Sequence, residues 1–186
     1  MRGVDNTAEY ANRAWDRTEE ILKKLKSEAN LDPKIFSNLL DCLNAQRSYV
    51  KSHFPWALQF DSQCQCHCVS WATSDEKKKE FRRSCFPNHS HKETCKWCYQ
   101  LPDLFACIAA QVQLNEAKFD AQSYQEMVYD LRDAFNNIKE QKLHVIRTFV
   151  QQYNWSERYH GMDTKTAFLT MDWVSLTAFL DQTLQM

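Results

Sequence analysis

The chain has 186 residues, of which 44% are hydrophobic and 25% charged, a composition typical of a folded globular protein. Its formal net charge of −1 excludes a strong long-range attraction to nucleic acid or to membranes. It has only two glycines and four prolines, which argues against an all-β protein, and no apolar run reaches the roughly eighteen residues of a membrane span.

The N-terminal part is predicted to be a helical hairpin over 1–53. Apolar residues at intervals of three and four predict a first helix over 7–29. Asp32 followed by Pro33 is typical of an N-cap and a first helical residue, so a second helix is predicted to begin there. Pro55 is expected to end this second helix, because the residue before a proline disfavours the helical conformation.

The remainder of the chain is also predicted to be mostly helical. Pro102 predicts the start of another helix, and a long apolar stripe predicts a further helix over 121–153, followed by a break. Together these form a helical region over 101–160 that is expected to pack on the hairpin. The last segment, 161–186, predicts a short strand over 166–171 and then a helix. The predicted fold class is therefore mainly α, with an inserted zinc-binding loop region.

That inserted region, 54–100, contains six of the eight cysteines and three of the six histidines. Thiolate sulfur and imidazole nitrogen are the ligands that tetrahedral zinc selects. The spacing of the Cys-x-x-Cys pair lets two thiolates reach one ion, and one cysteine and two histidines lie just upstream. The local candidate ligands are Cys85, His89, His91, Cys95 and Cys98. A spare histidine is available for a second ion with residues further upstream, namely Cys64, Cys66, His67 and Cys68.

The cysteines have two other interpretations, a set of reduced buried thiols and a disulfide knot. The N-terminus has no apolar signal segment, so an intracellular location is predicted, the nucleus included, where clustered cysteines are more often metal ligands than disulfides. A zinc ion with several thiolate ligands is a poor Lewis acid and is expected to be structural. Cys42 and Cys107 lie on predicted helix faces and are interpreted as core residues.

A basic run precedes the Cys-x-x-Cys pair, in a short helix predicted after Ser74 and Asp75. Its members, together with two lysines of the cysteine-rich region, are the candidate nucleic-acid-binding residues Lys77, Lys78, Lys79, Arg82, Arg83, Lys92 and Lys96. The run is interpreted either as a solvated helix face or as a phosphate-contacting surface braced by zinc. In the second interpretation, Trp71, Trp97 and Tyr99 are available to stack on bases.

The order of these motifs resembles an uncharacterised family of transposon-derived proteins from animal genomes. The resemblance depends mainly on the Cys/His block and more weakly on the other residues. Its elements are His67, Cys68, Ser74, Asp75, the block over 85–98, Ile138, His144, Arg147, Met171, Asp172 and Trp173. In that family, an acidic residue after an apolar strand looks like the first carboxylate of a ribonuclease-H-like core. The resemblance therefore implies phosphoryl transfer by two magnesium ions, with Asp172 in that position.

This chain departs from the family pattern after Trp173, and the other carboxylates of such a core have no counterpart in it. A zinc-stabilised binding module associated with nucleic acid, and not catalytic alone, is therefore predicted. One alternative is a fragment of a metal-dependent nuclease or transposase, with Asp172 as a relic carboxylate. The other is a protein–protein adaptor. No small-molecule substrate and no membrane partner are predicted.

Overall fold

The structure is a computed structural model that describes residues 6–73, 85 and 89–161. In these residues helices dominate and no strand occurs, only two isolated bridges, which confirms the mainly α fold class. None of the described helices is both long enough and apolar enough to cross a bilayer. The chain divides into two compact units, Met1–Val150 and Gln151–Met186, and the Cys/His-rich loops belong to the first.

The N-terminal hairpin consists of α1 (Asn6–Glu28) and α2 (Pro33–Ser48), as the hydrophobic spacing predicts. The turn between them contains Asn30 at φ 55°, in the left-handed region that asparagine tolerates better than most residues. An ion pair joins the two helices, with Arg47 Nη1 lying 2.7 Å from Asp16 Oδ1. Both helices then contribute apolar side chains to one core.

The end of α2 differs from the prediction. The chain continues as a π-helical turn over Tyr49–His53 and then as a short helix, α3 (Phe54–Ala57). Pro55 therefore lies in the first turn of α3, where its missing N–H costs little because first-turn N–H groups have no partner within the helix. The π turn buries Tyr49 and Val50, and π turns are frequent at functional sites.

Beyond the loops, α4 (Val69–Ala72) precedes the longer helix α5 (Lys96–Leu114). The prediction that this longer helix begins at Pro102 is wrong. Its N-cap is Cys95, in extended conformation, and Pro102 lies inside the helix at the expense of one backbone hydrogen bond. The Cys-x-x-Cys pair thus spans the N-cap and first turn of α5.

The last described helix, α6 (Ala121–His160), confirms the long helix predicted over 121–153 but extends further. The predicted break after 153 is wrong, because the helical pattern continues to His160, and Gly161 N–H donates to Glu157 O at 3.0 Å. The strand and helix predicted within 162–186 lie outside the described residues.

The core of the first unit joins the helices to the Cys/His-rich loops. Arg17 Nη1 of α1 lies 3.2 Å from Asp130 Oδ1 and 3.5 Å from Asp133 Oδ2 of α6, so ion pairs link these two helices. Fully buried apolar side chains come from α1, α3, α4, α5 and α6 and from the π turn: Leu22, Leu25, Val50, Phe54, Val69, Ile108, Val112 and Ile138. Because α3 and α4 lie on either side of the loop over 58–68 and both contribute to the core, this loop is anchored to the core at both ends.

Replacement of Asp32 by alanine is expected to destabilise the hairpin. Asp32 Oδ1 accepts hydrogen bonds from Lys34 N at 2.8 Å and Ile35 N at 3.2 Å, and loss of such a cap costs about 0.5–2 kcal/mol. Urea unfolding should therefore give a lower midpoint for Asp32→Ala. The matched control is Asp41→Ala, an exposed position within α2, which is expected to stay within about 0.5 kcal/mol of the wild type. Equal midpoints for both variants would contradict the capping role.

Candidate metal centre

Backbone hydrogen bonds hold together the two loops that carry the cysteines and histidines, the first loop over 58–68 and the second loop over 89–95. Gln59 N–H donates to His67 O at 3.2 Å, and Val69 N–H donates to Gln59 O at 2.9 Å, so the first loop doubles back on itself. Glu93 N–H donates to Gln63 O at 3.1 Å and joins the second loop to the first. These links bring residues that are distant in sequence into one small volume.

The first Cys/His cluster consists of Cys68, Cys85, His89 and His91, whose ligand atoms all lie within 4.8 Å of one another and could hold a metal ion. Cys68 Sγ lies 3.7 Å from Cys85 Sγ and 3.2 Å from His89 Nε2. For zinc, bonds of about 2.3 Å to sulfur and 2.0–2.1 Å to nitrogen place two sulfurs about 3.8 Å apart and a sulfur about 3.6 Å from a nitrogen. The 3.7 Å between the two sulfurs matches the sulfur–sulfur edge, and the 3.2 Å between Cys68 Sγ and His89 Nε2 is about 0.4 Å shorter than the sulfur–nitrogen edge.

The surroundings of the first Cys/His cluster suit a cation. Cys68 and Cys85 are buried, and the Nε2 atom of His91 is buried without a hydrogen-bond partner among the described residues. A buried polar atom without a partner is costly, and a metal bond would satisfy it. Trp71 N–H lies 3.4 Å from Cys68 Sγ and is placed to donate to a thiolate there. The Trp71 ring packs edge-on against His91, 5.4 Å between centroids.

Burial raises the pKa of the Cys85 thiol to about 11, and the neighbouring Cys68 also raises this pKa. These causes act against two thiolates sharing a buried site. A bound divalent cation opposes them, because a metal-ligated thiol loses its proton. A cation that binds sulfur would therefore favour the deprotonated form of both thiols in the first Cys/His cluster.

The second Cys/His cluster consists of His67, Cys95 and Cys98, whose ligand atoms also lie within 4.8 Å of one another and could hold a metal ion. Cys98 Sγ lies 3.6 Å from His67 Nε2. The Tyr49 hydroxyl contacts all three ligand atoms, at 2.7 Å from His67 Nε2, 3.3 Å from Cys95 Sγ and 3.4 Å from Cys98 Sγ. Tyr49 belongs to the π turn, so this turn places a hydroxyl group at the second Cys/His cluster.

A lysine from α6 also reaches the second Cys/His cluster. Lys142 Nζ lies 3.3 Å from Cys98 Sγ, and the same ammonium lies 4.6 Å from the centroid of the Phe54 ring. Burial raises the pKa of Cys66 to about 12, with further increases from Cys98 and Cys64. Burial together with Cys95 and Cys98 raises the pKa of Tyr49.

The grouping of the predicted ligands differs from the local set that the spacing suggests. Cys85, His89 and His91 do lie together, but with Cys68 instead of the Cys-x-x-Cys pair. That pair lies with His67 in the second Cys/His cluster. His67 and Cys68, adjacent in sequence, thus belong to different clusters. Two further candidates, Cys64 and Cys66, belong to neither of the two groups; Cys64 is buried and Cys66 is partly buried.

The predicted nucleic-acid-binding residues are only partly described. Lys92 and Lys96 are exposed on the second loop and at the start of α5. Three large aromatic residues nearby in sequence are also exposed, Trp71, Trp97 and Tyr99. The basic run lies outside the described residues, namely Lys77, Lys78, Lys79, Arg82 and Arg83. Asp172, the residue that the family resemblance singles out, lies outside them too.

Two contributors to the site could not be found from sequence spacing. Tyr49 and Lys142 lie far along the chain from their sulfur contacts, and neither belongs to a recognisable ligand motif. The prediction that Cys42 and Cys107 are core residues is wrong, because both are exposed. Each lies on a helix surface next to buried positions, which periodicity alone does not separate from the core.

Comparisons of the chain with protein-family models, with curated proteins and with solved structures find no match. The resemblance to transposon-derived proteins therefore stays an expectation from the sequence. The functional interpretation depends on the geometry of the two Cys/His clusters and on the exposed residues around them.

Proposed function

We propose that the chain is a zinc-stabilised binding module in which the first Cys/His cluster binds one structural zinc ion. The observation that carries this proposal is the convergence of two thiols and two imidazoles within 4.8 Å of one another, with the Cys68 and Cys85 sulfurs 3.7 Å apart, as on an edge of a zinc tetrahedron. Sulfur and imidazole ligands together favour zinc over magnesium or calcium, which prefer oxygen.

A structural role follows from the number of ligands. Four protein ligands fill a tetrahedral shell and leave no position for water or substrate, whereas a catalytic zinc keeps one position open. The ion would cross-link the loop that contains Cys68 to the loop that contains His89 and His91. The two loops contain little helix and no strand among the described residues. The metal would therefore hold them together, as hydrogen-bonded strands do in a β-sheet.

Nucleic acid is the partner that we propose for this module. Lys92 and Lys96 offer ammonium groups for phosphate contacts, and Trp97 and Tyr99 offer exposed rings beside them in sequence. Phosphate contacts combined with stacking are typical of proteins that bind single strands with little sequence preference. The resemblance to transposon-derived proteins favours the same class of partner.

Binding to single-stranded DNA or RNA is expected to be micromolar or weaker and strongly dependent on salt. A few phosphate contacts predict a slope of log affinity against log salt of about −3 to −5. The double reversal Lys92→Glu with Lys96→Glu should weaken binding and make that slope shallower by about 1–2. Reversal of Lys78, Lys79, Arg82 and Arg83 should abolish binding with the zinc content unchanged.

The matched control is Lys34→Glu with Lys118→Glu, which changes the net charge equally at exposed positions outside the Cys/His loops. Fluorescence anisotropy with a labelled oligonucleotide, titrated at several salt concentrations, measures all variants. If the control weakens binding as much as the Lys92/Lys96 variant, or if wild type does not bind at low salt, the nucleic-acid proposal fails. The protein–protein adaptor would then be the better hypothesis.

A further inference from the structure

We infer that the second Cys/His cluster binds a second zinc ion, with Cys66 as the fourth ligand beside His67, Cys95 and Cys98. This second site extends the proposed function to a two-ion centre, and its use of zinc rests on that function. The two ions would differ in ligand set, with two thiolates and two imidazoles at the first and three thiolates and one imidazole at the second.

The ligand atoms of the second Cys/His cluster are spaced as a tetrahedral zinc ion requires. Its three ligand atoms lie within 4.8 Å of one another, and the 3.6 Å between Cys98 Sγ and His67 Nε2 matches the sulfur–nitrogen edge of about 3.6 Å expected for tetrahedral zinc. Cys95 and Cys98 also have the Cys-x-x-Cys spacing common in zinc sites, at the N-terminus of α5. Three ligands of one ion are therefore already in place.

The fourth ligand has three candidates nearby, the thiols of Cys66 and Cys64 and the hydroxyl of Tyr49. Neither thiol belongs to the group of three ligand atoms, but Cys66 directly precedes the ligand His67 and neighbours the Cys98 side chain, whereas Cys64 lies two residues further from His67. A phenol is a poor zinc ligand compared with a thiol, because its proton is harder to remove and zinc prefers sulfur and nitrogen. Cys66 is therefore the donor that completes the shell.

The charge around the second site fits three thiolates. Three thiolates, one neutral imidazole and Zn²⁺ leave a net charge of −1, while the first site with two thiolates is neutral. Lys142 Nζ, at 3.3 Å from Cys98 Sγ, supplies the compensating positive charge. The Tyr49 hydroxyl, within 3.4 Å of both Cys95 Sγ and Cys98 Sγ, can donate one hydrogen bond to a thiolate. Such contacts orient metal ligands and tune the bound ion.

The order of the ligands along the chain interleaves the two ions. The first ion would bind Cys68, Cys85, His89 and His91. The second ion would bind Cys66 and His67, which come just before Cys68, and the Cys-x-x-Cys pair, which comes after His91. Each ion thereby joins the same two loops, and only the second ion also anchors the start of α5. Loss of the second ion should therefore free α5 from the loops and leave the first ligand set assembled.

The test is zinc content per chain, measured by elemental analysis on the full chain purified without chelator. Wild type should contain two equivalents, and Cys66→Ser should contain one. The control Cys42→Ser, at an exposed cysteine outside both clusters, should contain two. One equivalent in wild type overturns the second site and leaves the proposed function intact, whereas no zinc overturns both. Two equivalents retained by Cys66→Ser overturn Cys66 as the fourth ligand.

A measurement on wild type keeps the assignment falsifiable if Cys66→Ser does not fold. Zinc X-ray absorption on protein that contains two equivalents should give about 2.5 sulfur ligands per ion, the mean of two and three. A mean of about two would show that the second ion has no third thiolate and would overturn the assignment. Tyr49→Phe should leave both the zinc content and the sulfur count unchanged, since the hydroxyl is not a ligand; loss of one equivalent in this variant would contradict that.

Discussion

Chelation of the proposed structural zinc is expected to lower the thermal unfolding midpoint of the chain by more than about 10 °C. Structural zinc contributes apparent binding free energies of about 10–16 kcal/mol in small zinc domains, and a loss of even about 5 kcal/mol shifts the midpoint by about 10–20 °C at this chain length. The effect should extend beyond the loops, because Phe54 and Val69, which flank the ligands, are fully buried in the main core.

Differential scanning calorimetry, with and without a strong zinc chelator, measures this shift. Excess zinc added after chelation should restore the original midpoint, because the effect is one of ligand linkage. A chelator selective for calcium, at the same concentration, is the control and should change nothing. An unchanged midpoint after verified removal of zinc would show that the helices fold independently of the metal.

Cys98→Ala is expected to be insoluble or destabilised by at least about 3 kcal/mol, and Cys95→Ala to behave similarly. Cys98 is 8% exposed, and its sulfur contacts His67, Tyr49 and Lys142. Its removal deletes a proposed metal ligand and leaves the Lys142 ammonium and the Tyr49 hydroxyl without this partner. Such a change costs about 3–5 kcal/mol when the charge is buried; Lys142 is partly exposed, so the lower end applies.

Cys42→Ala is the matched control, because Cys42 is an exposed cysteine within α2. It is expected to stay within about 0.5 kcal/mol of the wild type, as surface substitutions usually do. Soluble yield and the urea midpoint measure both variants. If Cys98→Ala and Cys42→Ala unfold at the same urea concentration, the Cys98 sulfur has neither a ligand role nor a packing role.

The helices were largely predictable from the sequence, and two of the three errors in their bounds involve prolines. Spacing located α1, α2 and α6, because an amphipathic stripe reports which face a helix buries. The predictions that Pro55 ends a helix and that Pro102 begins one are wrong, because Pro55 lies in a first turn and Pro102 lies inside a helix. A proline costs little in a first turn, and elsewhere tertiary packing can outweigh the lost hydrogen bond. For Pro55 and Pro102, the order of residues alone did not distinguish these positions from the end or the start of a helix.

The site was predictable in ligand type but not in grouping. The density of cysteine and histidine over 54–100 indicates a metal centre, and the two clusters gather there. Which residues share a cluster depends on the backbone link from Glu93 to Gln63, which is a tertiary contact. Proximity in sequence favours one set of ligands within 85–98. In the folded loops, Cys68 lies with Cys85, and His67 lies with Cys98. Tyr49 and Lys142 arrive from helices outside the region.

The zinc content of the chain, purified without chelator, tests the proposed zinc-stabilised module most directly. At least one equivalent is expected in wild type, held by the first Cys/His cluster. Cys68→Ala should lose that equivalent, because Cys68 supplies the sulfur that lies 3.7 Å from Cys85 Sγ and 3.2 Å from His89 Nε2. A wild-type content below about half an equivalent, in protein that is folded by circular dichroism, would contradict a structural zinc ion, whose binding is coupled to folding.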